Sequence, residues 1–226
     1  MAIQTNGNAD IPAAFYETGK LTKRKQQALN TKNRIYNIAV KEINEKGINN
    51  VSIEDITRAA KVAKGTFYTH FDSKEALVYY TYEQSDMIYQ SAYEQVRDLE
   101  FLYQVTCFAH ISYVEYEKRG KGIIKAMISN YFSAPERNFY NKDRLLIKCL
   151  EKIVEKGKLE GVLDQEKPTD QYVNILVATL AGVEVMWCFD TQGQKLADMI
   201  EEAVGTVAKG MMKTGTYGKE NSKSSM

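Results

Sequence analysis

Apolar residues recur along this chain with the spacing of helices. From about Lys23 to Lys46, Ile35, Ile38, Ala39 and Ile43 fall on one helical face, and Gly47 stands where a helix stop is expected. Ser52 followed three residues later by Asp55 has the pattern of a capping box, with Ile53, Ile56 and Ala60 as a short apolar stripe behind it. A break at Lys61-Val62 leads to a second short segment ending near His70. Ser73 then offers an N-cap for a long helix to about Val96, and Glu75 in its first turn suits the helix dipole. Further helices are expected at about 100–118, 122–132, 139–158, 169–188 and 195–212. No stretch sustains the two-residue alternation of a strand, so the pattern predicts an all-α protein of about nine helices. Residues 1–20 and 214–226 lack periodicity and read as flexible tails.

Composition narrows the class. The 226 residues make one long domain or two small ones, with an ordinary soluble balance of 44% hydrophobic and 26% charged residues. Three prolines suit long uninterrupted helices. The N-terminus lacks an apolar signal-peptide core, and no run approaches the 18 apolar residues of a membrane span. Cys107, Cys149 and Cys188 are odd in number and widely spaced, as expected of buried free thiols in a reducing cytoplasm.

The net charge of +1 conceals an asymmetry. Residues 1–75 hold 12 Lys/Arg against 8 Asp/Glu, a balance of +4, while the rest hold 18 against 21, a balance of −3. Between Thr18 and Val40 stand Lys20, Lys23, Arg24, Lys25, Lys32 and Arg34 without an acid. Such a cluster alone suits a solvated helix face; on an otherwise acidic chain it points to a polyanionic partner.

Residues 63–77, AKGTFYTHFDSKEAL, gather hydroxyls, aromatic rings, two lysines and one of the chain's two histidines. A catalytic loop, a metal site and a gripping surface are all compatible with that mixture. His70 has no second ligand at metal-binding spacing, and His110 is forty residues away. The chain has no Ser-His-Asp or Cys-His set, no glycine-rich phosphate loop and no paired carboxylates in a plausible site, so neither enzyme nor cofactor is expected. Two short helices on a longer basic one fit a helix-turn-helix, although an ordinary helical hairpin has the same pattern.

Residues 51–77, VSIEDITRAAKVAKGTFYTHFDSKEAL, resemble the DNA-binding segment of the TetR/AcrR family of bacterial transcriptional regulators. The shared features are Gly-Thr-aromatic-Tyr, then His-Phe, then a Lys-Glu-x-Leu entry into the next helix. The resemblance implies an N-terminal helix-turn-helix domain over 21–72 and a ligand-binding and dimerisation domain over 73–213. It places Ser52 at a cap able to reach a phosphate, and Lys64, Gly65 and Thr66 at the start of a recognition helix. Tyr68, His70 and Lys74 match positions that meet the phosphate backbone, while Phe67 and Phe71 would be core. Lys61 replaces the family's turn glycine, a strained choice if positive φ is needed. Ala63 replaces the serine cap, and Thr57 stands where alanine is usual. Either the turn differs slightly, or the recognition helix stays soft until DNA orders it.

For the remainder, the family layout implies a dimer formed by the last two helices, although a monomeric core hairpin has the same apolar pattern. Val173, Val177, Leu180 and Glu184 on one, with Leu196, Ile200 and Val204 on the other, are the expected interface. Glu184 is read as facing that seam, with a counter-charge for a cationic ligand as the other possibility. Eight tyrosines within residues 79–116 suit either a core or a pocket for an aromatic or amphipathic effector. Phe108, Tyr113, Met127, Tyr131, Cys149 and Trp187 are the expected lining. The function implied is a cytoplasmic repressor that binds a palindromic operator as a homodimer and is released by a small molecule. The alternative is a dimeric DNA-binding protein without such an effector, controlled by a protein partner or acting architecturally.

Overall fold

The computed structural model describes residues 22–130 and 141–214. Among them, nine α-helices follow in order: α1 (Lys23–Lys46), α2 (Ile53–Ala59), α3 (Lys64–His70), α4 (Glu75–Val96), α5 (Phe101–Glu117), α6 (Lys121–Ser129), α7 (Leu145–Leu159), α8 (Thr169–Phe189) and α9 (Leu196–Met211). A single 3-10 turn, Ile48–Asn50, joins α1 to α2. The fold is all-α, as the periodicity predicts. The seventh helix starts later than expected, because 141–144 form a turn that ends in a buried Arg144. Tyr131 and the 131–132 end of the expected sixth helix lie outside the described residues.

The caps explain several boundaries. Thr22 accepts a hydrogen bond from the Lys25 N–H and opens α1, and Gly47 closes it at φ 79° with its N–H on the Ile43 carbonyl. Ser52 and Asp55 make the complete capping box at α2. Ser73 Oγ accepts from the Ala76 N–H at 3.2 Å and serves the first turn of α4.

Helices α1 to α3 form the N-terminal unit, with Ile35, Ala39, Ile43, Ile56, Phe67 and Phe71 closing its core. Two bonds tie it to α4: Tyr36 donates to Thr81 at 3.1 Å and Tyr80 donates to Asn33 at 2.9 Å. A second joint holds α1 to α6. The Asn44 amide donates to the Arg119 carbonyl at 2.5 Å and accepts from the Ile123 N–H at 3.0 Å. A Cβ on Gly122 would sit 2.5 Å from the Asn44 Cα, so glycine is what permits the approach. On the other side of the same turn, Lys121 donates to the Asp190 carbonyl at 2.8 Å, and its ammonium lies 4.7 Å from the centre of the Trp187 ring.

Behind α4, helices α5 and α9 pack together most extensively, and α8 lies against α6, α7 and α9. Helix α8 is long and apolar enough to cross a membrane by composition, with a mean hydropathy of 1.6, which the sequence reading understated. Its hydrophobicity has a packing explanation on one side: Val173, Leu176, Val177, Leu180 and Trp187 are buried against the rest of the chain.

Candidate nucleic-acid interface

The turn between α2 and α3 is formed despite its missing glycine. Lys61 adopts φ 52°, in the left-handed region that favours glycine, and is the only non-glycine residue with positive φ among those described. Ala63 has the extended geometry of an N-cap, φ −68° and ψ 151°, but no side chain to complete it. The two departures seen in the sequence therefore fall at the two ends of one three-residue turn.

Beyond the turn, Phe67 is fully buried and anchors α3, and Phe71 packs against it at 5.7 Å between ring centres. With that row inside, Lys64, Gly65, Tyr68 and Thr69 form the exposed row of the helix. Thr66 and His70 flank it, half-buried. Thr69 is the member that motif reasoning missed; its place one turn beyond Gly65 was the available signal. Nothing lies within 4 Å of a Cβ placed on Gly65, so this edge is open to a close partner.

The charged members are partly engaged. Lys64 forms an ion pair with Glu54 at the start of α2, which holds the carboxyl below and the ammonium above their ordinary pKa values. Ser52 Oγ accepts from the Asp55 N–H at 3.1 Å and donates to its carboxylate at 2.5 Å. Lys74 donates to the Ile48 carbonyl at 2.6 Å and the Val51 carbonyl at 3.0 Å, bracing the α1–α2 connection. An ammonium carries three donors, so a third remains for another acceptor. Burial, assisted by the Lys32 ammonium, lowers the His70 pKa and favours the neutral ring. Between α2, α3 and the start of α4 opens a cleft of about 330 Å³ bordered by Ser52, Glu54, Lys64, Tyr68 and Lys74.

The expected effector lining is interior. Phe108, Tyr113, Met127, Cys149 and Trp187 are all buried, whereas Tyr131 lies outside the described residues. Four of them share one network. Tyr113 donates to Glu184 at 2.5 Å, Tyr116 donates to Glu184 at 3.4 Å and reaches the Met127 sulfur at 3.6 Å. The Phe108 ring lies 6.2 Å from Tyr89, whose carbonyl accepts from the Cys149 thiol at 3.8 Å. Trp187 is committed at the α6–α8 joint, where its indole N–H donates to the Gln194 carbonyl at 2.9 Å. Burial, reinforced by the Glu184 charge, pushes Tyr89 and Tyr113 well above the usual tyrosine range. A buried ion pair of Arg144 with Asp86 at 2.8 Å, beneath the Tyr82 ring, completes this interior and carried no sequence signal.

The seven residues expected at the dimer seam, Val173, Val177, Leu180, Glu184, Leu196, Ile200 and Val204, all lie buried inside the single chain. They are core residues, and Glu184 is held by tyrosines inside the protomer. What α8 turns outward is a different stripe: Ile175, Ala178, Gly182, Met186 and Phe189.

A short helical pair on a supporting helix, with an anchored second helix exposing a polar row, defines a helix-turn-helix DNA-binding fold. Residues 35–80 match the family described as bacterial regulatory proteins, tetR family. An HTH-type transcriptional regulator of Staphylococcus aureus strain USA300 is 31% identical over 74 residues, which is 33% of this chain and 40% of that protein. The fatty acid degradation regulator FadR of Bacillus halodurans superposes with a TM-score of 0.69 at 18% identity, covering 80% of this chain and 96% of its own. FadR of Bacillus subtilis, solved with stearoyl-CoA, gives a TM-score of 0.67 at 15% identity over 78% and 97% of the two chains. NalD of Pseudomonas aeruginosa, the secondary repressor of an efflux pump, gives 0.63 at 19% identity over 84% and 100%. These likenesses extend the shared fold well beyond the helix-turn-helix.

Proposed function

We propose that the protein is a cytoplasmic transcriptional repressor that binds a palindromic operator as a homodimer and responds to a small molecule. The observation that carries this reading is the α2–α3 pair, whose outward row sits on a buried phenylalanine anchor within the matched family segment. Residues 21–72 are taken as the DNA-binding domain and 73–213 as the effector and dimerisation domain. Lys64, Gly65 and Thr66 approach base edges, with the lysine suited to guanine acceptors. Ser52, Tyr68, His70 and Lys74 hold phosphates and fix register. Two recognition helices in successive major grooves stand about 34–36 Å apart.

The effector is read as an aromatic or amphipathic molecule, for which the interior around Phe108, Tyr113, Met127 and Cys149 supplies rings and one carboxylate. Solved relatives carrying stearoyl-CoA and lauroyl-CoA make acyl thioesters the first compounds to test. An effector displaces the protein from DNA only through its differential affinity for two conformers.

Footprinting on the DNA flanking its own gene tests the reading, and absence of any protected palindrome at low salt would sink it. Replacing Tyr68 by Ala should weaken operator binding on every sequence while leaving the salt slope unchanged, because a neutral phenol releases no counterion. Unchanged affinity would remove Tyr68 from the phosphate contacts.

A further inference from the structure

The first turns of α1 do not belong to any core. Residues 22–28 are all exposed, and the first buried residue of the helix is Ile35. The segment is nonetheless built as a helix, capped by Thr22 and laced by bonds from Gln26 to Asn30 and from Thr31 to the Gln27 carbonyl. An exposed helical extension without apolar contacts gains little from folding. Its charge is one-sided: Lys23, Arg24, Lys25, Lys32 and Arg34 precede the first acid of the helix, Glu42.

Its root lies beside the recognition helix. The Lys32 ammonium is 3.8 Å from the centre of the Tyr80 ring and 5.5 Å from that of Phe71, the residue that ends α3. From there, residues 23–31 extend about 14 Å at 1.5 Å per residue, the length of about four base pairs. The helical rows are distinct. Lys25 and Lys32 continue the row of Tyr36, Ala39 and Ile43, which is buried where the body supports it. Lys23 and Arg34 lie on the opposite side.

We infer that residues 23–31 are a second DNA-contacting element, in which Arg24 and Lys25 neutralise phosphates outside the half-site read by α3. The inference rests on the DNA-binding reading above and extends it to a surface that the helix-turn-helix motif does not include. Charge complementarity selects a phosphate backbone as the partner; the continuation of the body-facing row selects Lys25, with Arg24 on the adjoining flank and Lys23 turned away. Contacts of this kind add affinity without sequence information.

The test compares two charge-matched variants of the full chain, R24Q/K25Q and K23Q/R34Q, since glutamine retains the helix propensity of both. The probe is a duplex recovered by the wild-type protein from a random-sequence pool. For R24Q/K25Q, the slope of log affinity against log salt should fall by up to about 3.6 for the dimer, at 0.9 for each of the four phosphates lost across two protomers. Protection should retract by about four base pairs at each end of the site, with the selected sequence unchanged. K23Q/R34Q should retain the wild-type slope and footprint. Equal losses in the two variants would reduce the arm to general attraction and overturn the inference, as would no loss in either. Intact DNA behaviour of R24Q/K25Q with lost binding to phosphatidylglycerol vesicles would assign the arm to a lipid surface instead. A wild-type protein that recovers no duplex at all would sink the DNA-binding reading itself.

Discussion

Lys61 and Ala63 show what individual residues contribute to the turn. A lysine at φ 52° carries a left-handed penalty on the order of 1–2 kcal/mol that glycine does not. Glycine returns about 0.5–1 kcal/mol of that through the greater freedom of its unfolded state. Lys61→Gly should therefore stabilise the protein by about 0.5–1 kcal/mol, a rise in Tm of about 2–4 °C at most for a chain of this size. Ala63→Ser should add about 1 kcal/mol, because the backbone already holds N-cap geometry. Thermal unfolding measures both, and a fall in Tm for either would refute the corresponding account. If DNA binding completes a soft α3, the pair of changes should also tighten operator affinity.

Buried tyrosines give the residue scale a pH signature. Tyr82, Tyr89 and Tyr113 all have raised pKa values, with burial the leading cause. In the unfolded chain they ionise near pH 10, while the folded protein keeps them neutral. Their contribution to stability is thus complete below pH 10 and is lost as pH rises above it. Phenolate absorbance should develop in two stages, exposed rings first and these three only with cooperative unfolding. Smooth titration of every tyrosine in the still-folded protein would contradict this packing.

At the scale of elements, the α1–α6 joint is the least tolerant contact. Adding a methyl group at Gly122 directs it at the Asn44 backbone, which cannot rotate away as a side chain could. Gly122→Ala should cost about 1–3 kcal/mol and lower Tm by several degrees. Gly210→Ala in α9, where nothing lies within 4 Å, is the control and should be neutral or slightly stabilising. Similar losses at the two positions would show that helix propensity, and not the joint, sets the effect.

Helix existence, order and most boundaries were legible from apolar spacing and caps, as the capping box at Ser52 and the stop at Gly47 illustrate. Sidedness in α8 was not. Val173, Val177 and Leu180 form one apolar row and Ile175, Ala178 and Met186 another. Periodicity cannot say which row meets the chain's own core and which faces outward. The Arg144–Asp86 pair was equally silent, since two charges 58 positions apart meet only after the helices pack. Motif residues were easier to place, because Phe67 inside and Tyr68 outside follow from one short helix.

For the whole molecule, the outward stripe of α8 is the surface on which assembly can be tested. Met186 and Phe189 are 63% and 75% exposed, far more than an isolated core helix would leave. The homodimer reading, moved to this row, expects Met186→Glu with Phe189→Glu to yield a folded monomer in sedimentation equilibrium. Operator affinity should fall with dimer concentration, because each protomer carries one recognition helix. Unchanged mass would place the interface elsewhere. Core substitutions such as Val177→Ala should instead destabilise the protomer itself.

The chain has one tryptophan, and it sits where α6 meets α8 beneath the Lys121 ammonium. A positive charge held that close to an indole shifts its emission, so the intrinsic fluorescence of this protein reports from a single place. Any ligand or duplex that moves the first turn of α6 away from α8 should register as a change in colour or intensity, with no label attached. The protein thus carries its own optical gauge of the joint between its two ends.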